Sequence, residues 1–219
     1  MPLTVNLRGQ RVICVGGGPV AAAKSLPLLE SGADLIVVAP EAVADIHDAA
    51  ARRRLIWVRR RYQPGDLDGA LLVIAATADT AVDQDVSEDA AKRRIFCIRV
   101  DGKGTAALPA VVRRGPLQLA VSTSGQAPAL ARRLRDRLEA AYGSEWGELT
   151  VLLGQLRARR DVNAALEELS PAERRRRWRA AVDALLAGDQ PNLDAAAALQ
   201  CLGGSSEEPI SSNEDPIGS

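Results

Sequence analysis

Apolar residues in the first half of the chain gather in short unbroken runs: Val12-Ile13-Cys14-Val15, Leu35-Ile36-Val37-Val38-Ala39, Ala70 to Ala76 and Ile95 to Ile98. Leu55-Ile56-Trp57-Val58 is a shorter run of the same kind. A strand of a parallel sheet reads this way because helices cover both of its faces. Between the runs apolar positions recur at helical spacing, as in Ala42, Val43, Ile46, Ala49 and Ala50, and again in Val82, Val86, Ala90 and Ala91. Strand and helix alternating in this order predict an α/β class with a Rossmann-like parallel sheet.

The pattern changes past Asp101. Leu117-Gln118-Leu119-Ala120-Val121 alternates like a half-buried strand, and Leu130, Leu134 and Leu138 recur every four residues, predicting an amphipathic helix over residues 129–141. From Ser144 onward the chain reads as helical: Leu149, Leu152, Leu153 and Leu156 form one stripe, and Trp178, Val182, Leu185 and Leu186 another. Ser170-Pro171 is a helix start, with Pro at the first helical position. Residues 2–10 predict an entry strand or arm ending in a turn, residues 41–54 a short helix, and residues 203–219, rich in Gly, Ser, Glu and Pro, a disordered tail.

Composition narrows the partners. The 219 residues are 47% hydrophobic, and Lys+Arg and Asp+Glu both number 28, so no global field draws nucleic acid or membrane. The start Met1-Pro2-Leu3-Thr4-Val5 is unlike a signal peptide, and no run nears the ~18 apolar residues of a membrane span, which predicts a cytoplasmic protein. Cys14, Cys97 and Cys201 are unclustered, indicating neither a disulfide frame nor a zinc site, and His47, the one histidine, reads as solvated. The arginine triplets 52–54 and 59–61 read as a solvated face or as partners for a polyanionic ligand, and the run 174–177 as a solvated helix face, with no aromatic interleaving to suit nucleic acid.

The candidate chemistry starts at Gly16-Gly17-Gly18-Pro19-Val20-Ala21, between a strand and a helix. In a dinucleotide site Gly16 makes the tight turn, Gly18 admits the pyrophosphate to the backbone and Ala21 packs helix on strand. The acid that usually ends the second strand to hold a ribose is absent, since the chain reads Val38-Ala39-Pro40-Glu41. No Arg stands at that strand end for a 2′-phosphate, so NAD is expected over NADP. Ala75-Ala76-Thr77 ends another strand with small residues, leaving room for a cofactor. Asp101, at the end of the Ile95 to Val100 strand, reads equally as a group for proton chemistry or metal capture and as an Asp-Gly turn. Ser122-Thr123-Ser124 reads as a helix cap, as a clamp for an anionic substrate, or as both.

With these pieces in order the sequence resembles the precorrin-2 dehydrogenase/sirohydrochlorin ferrochelatase family, which also forms the front half of sirohaem synthases. The likeness runs through Val15-Gly16-Gly17-Gly18-Pro19-Val20-Ala21, Leu28 to Ala33, Ile74 to Thr77, Arg94 to Cys97, Pro109 to Val112 and Leu119 to Arg132, over residues 3–160. The resemblance implies a homodimer with an NAD-binding domain at 1–112, a dimerisation region at 113–143 and a helical domain at 144–202, ahead of the tail. It implies oxidation of precorrin-2 with NAD⁺, followed in some members by Fe²⁺ insertion. Asp101 would then be the catalytic residue, and a metal contact where chelation occurs. Pro40 and Glu41 would border the adenosine, with Gly16, Gly18, Pro19, Val20, Ala21, Ala75, Ala76 and Thr77 lining the cofactor. Ser122, Thr123 and Ser124, with Arg113 and Arg114 for carboxylates, would meet the tetrapyrrole. Ile98 and Asp83 stand where the family commonly has Asn, and the loop at 102–108 is shorter. These departures put chelation in question first, and the alternative is a non-catalytic tetrapyrrole- or nucleotide-binding protein of the same fold.

Overall fold

The computed structural model describes residues 3–188 and 190–204, and contacts divide the chain into two units, Met1–Leu108 and Pro109–Ser219. The first holds β1 (Arg11–Val15), β2 (Asp34–Val38), β3 (Ile56–Val58), β4 (Leu72–Ala75) and β5 (Phe96–Arg99). All pair in parallel, in the order β3-β2-β1-β4-β5. Helices α1 (Pro19–Ser25), α2 (Ala44–Ala51) and α3 (Thr80–Arg93) connect them.

Side chains alternate across a strand, so each apolar run serves two cores. Val12, Cys14, Leu35, Val37 and Ile74 pack with Ala21 and Ala22 of α1 and Ile46 and Ala49 of α2. Ile13, Val15, Val38, Val73 and Cys97 pack on the other face with Val86 and Ala90 of α3. This burial is what makes the runs continuous in sequence.

Two local expectations change, and the entry segment takes the second of its two expected forms. The segment after the glycine turn is not one helix: Pro27 has no N–H to continue the α-helical ladder, so α1 stops at Ser25 and a 3₁₀ turn, Leu26–Ser31, follows. Gly32, at φ 73°, closes that turn. Helix α2 starts at Ala44 rather than Glu41, after the extended Val43. Residues 3–10 form an arm without a strand, its turn closed by Gln10 N–H donating to Leu7 O at 2.9 Å.

The second unit starts with an antiparallel hairpin, β6 (Ala110–Arg114) and β7 (Leu117–Val121). It continues through α4 (Pro128–Ala141), α5 (Glu145–Ala158), α6 (Arg160–Glu167), α7 (Pro171–Leu185) and α8 (Ala195–Leu202). Leu149, Leu152, Leu156, Val162, Leu185 and Leu202 form its core. Ser170 caps α7 as expected, accepting from Glu173 N–H at 3.2 Å. Arg174 of the basic run donates to the carbonyls of Leu169 and Glu167 past the end of α6, which gives that arginine a structural task. Of the expected tail, Gly203 and Gly204 belong to the cap of α8, both donating to Leu199 O, and 205–219 lie outside the described residues.

Candidate functional site

In a sheet of this order the topological switch point lies between β1 and β4, where connections leave in opposite directions and a crevice opens at the strands' carboxyl ends. The glycine turn sits there. Gly16 N–H donates to Val38 O at 3.0 Å and Ala76 N–H to Val15 O at 2.9 Å, which ties the ends of β1, β2 and β4 together. Gly16 has φ 122°, and a Cβ on it would lie 2.2 Å from Ala76 O. A Cβ on Gly17 would lie 2.0 Å from Glu41 O. Both positions therefore require glycine for the protein's own packing.

Gly18 differs. A Cβ there would meet nothing within 4 Å, so the protein leaves open the space that a pyrophosphate approaching the backbone would take. Ala21 is fully buried against the sheet, while Pro19 and Val20 are exposed at the start of α1. The N–H groups of Val20 and Ala21 precede the first intrahelical bond, Ala22 N–H to Gly18 O at 3.0 Å, and so suit an anion. The turn fits a dinucleotide on these grounds.

At the end of β2, Ala39 is buried while Pro40 and Glu41 are exposed. Trp57 of β3 donates its indole N–H to Ala39 O at 2.9 Å, and Arg59 stacks on the Trp57 ring at 4.2 Å. A cation thus stands just past the neighbouring strand, although none ends β2 itself. His47 packs edge-on against the same ring at 4.3 Å. At the end of β4, Ala75 and Ala76 are buried. Thr77 is held by the buried Asp83 of α3, which accepts from its N–H at 3.0 Å and its hydroxyl at 2.8 Å. An acceptor-only carboxylate at position 83 is thereby satisfied.

Asp101 follows β5, as expected, but it is paired. Arg99 forks onto its carboxylate, Nε to Oδ1 at 3.0 Å and Nη2 to Oδ2 at 2.7 Å, and Lys103 N–H donates to Oδ1 at 3.1 Å. The Lys103 N–H first, and the Arg99 guanidinium after it, hold the Asp101 carboxyl below the usual carboxylate range. Ile98, in place of an amide, is buried in the core under α1 and α2. The short loop runs back along the free edge of β5: Cys97 N–H donates to Thr105 Oγ1 at 2.9 Å and Ala106 N–H to Cys97 O at 2.9 Å. Gly104 has to be glycine, since a Cβ would lie 2.2 Å from Cys97 O. Burial pushes the Cys14 thiol up to about 12, which suits a core residue and not a nucleophile.

In the second unit, the hydroxyl cluster is not the N-cap of α4, which is Ala127 and carries no side-chain cap. Thr123 Oγ1 instead accepts from Ala127 N–H at 3.2 Å, and Ser122 Oγ from Ser124 N–H at 3.2 Å. Ser124, at φ 52°, and Gly125, at φ 78°, turn the backbone just ahead of the helix. Arg114 is committed to the end of α4, donating to Tyr142 O at 2.8 Å and Glu139 O at 2.9 Å. Arg113 is the more exposed of the two. Among the described residues no group of three or more His, Cys, Asp or Glu is arranged to hold a metal ion, and no helix is long and apolar enough to cross a membrane.

A doubly wound sheet with an open glycine turn at its switch point defines a dinucleotide-binding protein of the Rossmann class. Comparison with known proteins agrees: a family model for NAD(P) binding matches residues 3–110, and one for the central region of sirohaem biosynthesis proteins matches residues 114–141. The siroheme synthase of Citrobacter koseri is 38% identical over 213 residues, 96% of this chain and 46% of that protein. The siroheme synthase of Pseudomonas fluorescens strain SBW25 is 42% identical over 160 residues, 72% of this chain and 34% of that protein. The chain thus spans less than half the length of these relatives. The solved structure of SirC, precorrin-2 dehydrogenase, superposes with a TM-score of 0.69 at 25% identity, covering 93% of this chain and 98% of that one. The chain is similar to these sirohaem-biosynthesis proteins over most of its length.

Proposed function

We propose that the chain is an NAD-dependent precorrin-2 dehydrogenase, oxidising precorrin-2 to sirohydrochlorin. The observation that carries this reading is the sheet's carboxyl edge, where β1 ends in the open Gly18 backbone and β5 leads to an ionised Asp101. NAD⁺, when bound, supplies the hydride acceptor, a chemistry that no side chain offers. Gly16 and Gly17 shape the turn, Gly18, Val20 and Ala21 face the pyrophosphate, Pro40 and Glu41 border the adenosine, and Ala75, Ala76 and Thr77 leave the crevice clear. Asp101 accepts the proton that the tetrapyrrole loses, and its ionised state keeps it ready to do so. Ser122, Thr123 and Ser124 with Arg113 are assigned to the substrate's carboxylates, Arg being suited to paired contacts. Arg114 is otherwise engaged. Fe²⁺ insertion, in which the metal is a substrate, calls on Asp101 alone among these residues.

The same reading takes the chain as a cytoplasmic homodimer, with an NAD-binding domain at 1–112, a dimerisation region at 113–143 and a helical domain at 144–202. The exposed Leu130 and Leu134 of α4 support the dimer. The test is incubation of the purified protein with precorrin-2 and NAD⁺. NADH absorbance rising with the sirohydrochlorin spectrum is the expected result, with most of the rate lost in Asp101→Ala. Binding of precorrin-2 with no NADH formed would establish the non-catalytic binding protein instead, and an unimpaired Asp101→Ala would remove Asp101 from the chemistry.

A further inference from the structure

β5 ends in Arg99 and Asp101 follows two residues later at the sheet's carboxyl edge, and of these two charges only Asp101 has a task in the oxidation. Arg99 is the unusual one, being 8% exposed. A guanidinium taken out of water is costly unless its donors are met. Here Nε and Nη2 grip Asp101 and Nη1 donates to the side-chain oxygen of Gln84 on α3. The arginine is thus anchored on a helix at one side and holds the carboxylate at the other, immediately before the Gly102-Lys103-Gly104 loop.

The two oxygens of Asp101 are not equivalent. Oδ1 receives Arg99 Nε and the Lys103 N–H, whereas Oδ2 receives Arg99 Nη2 alone. Each carboxylate oxygen offers about two acceptor directions, so Oδ1 is filled and Oδ2 keeps one, on a side chain that is 31% exposed. The other charges nearby do not compete for it. Asp83 on α3 is taken up by Thr77, and the Lys103 ammonium acts on Asp101 as a second cation. We propose that Arg99 is a positioning residue which, anchored by Gln84, fixes the Asp101 carboxylate so that Oδ2 is the oxygen presented to the tetrapyrrole. The inference rests on the dehydrogenase reading and deepens it. It also assigns a task to a residue whose charge alone reads as surface.

The experiment combines kinetics with a measurement on the protein without substrate. Arg99→Met lowers kcat for NADH formation by about tenfold to a hundredfold, the scale of a misplaced catalytic group, while KM and NAD⁺ affinity change by less than about threefold. Arg99→Lys, which keeps the charge but not the fork, restores part of kcat. On an Asp101→Asn background Arg99→Met produces no further loss. Gln84→Met, which removes only the anchor, gives a smaller loss of kcat and serves if Arg99→Met does not fold. In ¹⁵N NMR of the wild-type protein the Arg99 Nε–H signal exchanges slowly with water, and it loses that protection in Asp101→Asn. Wild-type kcat in Arg99→Met, equal losses with and without Asp101, or an Arg99 Nε–H exchanging as fast as an exposed arginine would each overturn the proposal. A wild-type protein that forms no NADH sinks the dehydrogenase reading and the role of Oδ2 with it, while a protected Nε–H would still establish the pair.

Discussion

The sheet unit and the hairpin-helix segment after it use the same apolar residues to opposite ends. In β1, β2 and β4 nearly all the valines, isoleucines and leucines are packed under α1, α2 or α3 and shut off from water, while the edge strands β3 and β5 leave Ile56 and Phe96 open. In α4 the stripe predicted to seek a core is open: Leu130 is 52% exposed and Leu134 37%, with Ala131 the buried residue of the helix. Helix α4 lies against a sheet of only two strands, and two-stranded sheets are marginal alone. Periodicity therefore tells that a face is apolar without telling whether this chain covers it. The first unit completes its own core, and the α4 stripe calls for a second surface, which the proposed homodimer supplies.

The largest effect should come from the glycine turn, where packing and binding can be separated. Gly16→Val puts a branched side chain at φ 122° and 2.2 Å from Ala76 O. Strain and overpacking each cost roughly 1–3 kcal/mol, so the sheet unit should lose several kcal/mol of stability in chemical denaturation. Gly18→Ala meets open space, so it should leave that denaturation curve in place and weaken NAD⁺ binding, read by titration. Equal stability of the two variants would mean that the sheet unit is not packed as tightly as its strands indicate.

Next comes the leucine contrast itself. Leu156→Ala empties a fully buried position among α5, α6 and α8, a change that costs about 2–5 kcal/mol. Leu134→Ala should cost the isolated chain no more than about 0.5 kcal/mol, as exposed substitutions do, while Leu130→Glu with Leu134→Glu should shift sedimentation from dimer to monomer. A chain that is monomeric before these changes would break the comparison, leaving the α4 stripe without a covering surface.

How much of this was legible in the sequence follows from the same physics. Five parallel strands could be read because burial on both faces forces unbroken apolar runs, and the glycine turn because its spacing serves a backbone geometry. Strand β6 was harder, since Ala110-Val111-Val112 is short and runs into Arg113-Arg114. The pairing of Arg99 with Asp101 was not legible: in sequence a charge reads as exposed, and only the fold shows Arg99 buried with Gln84 brought to it from 15 residues away. The hydroxyls at Ser122 to Ser124 were placed beside the right helix, but a turn through Ser124 and Gly125, rather than α4's first N–H groups, takes their hydrogen bonds. Patterns report burial and backbone shape well. They report poorly which polar group finds which, because that depends on contacts far apart in the chain.

The smallest effect concerns acid, and it sharpens the comparison by asking which unit carries a pH-dependent pair. Asp66 takes a two-pronged contact from Arg60, with Nη1 at 2.8 Å from Oδ2, and a backbone contact from Gln63 N–H at 2.8 Å. The Arg60 contact, more than any other, holds its carboxyl below the ordinary value of 3.8. A carboxyl lowered in the folded state binds its proton more readily when unfolded, so its contribution is full above the ordinary value and fades as pH falls through the lowered one. Arg60 is 40% exposed, so solvent screens the pair and the contribution is modest. Unfolding followed at Trp57 in the first unit should therefore depend on pH in the acid range, and Arg60→Met should reduce that dependence. The same substitution should leave the signal of Trp146 and Trp178 in the helical unit unchanged. An acid response that Arg60→Met does not alter would assign the sensitivity to other carboxylates, Asp101 with its Arg99 fork being the next to test by Asp101→Asn.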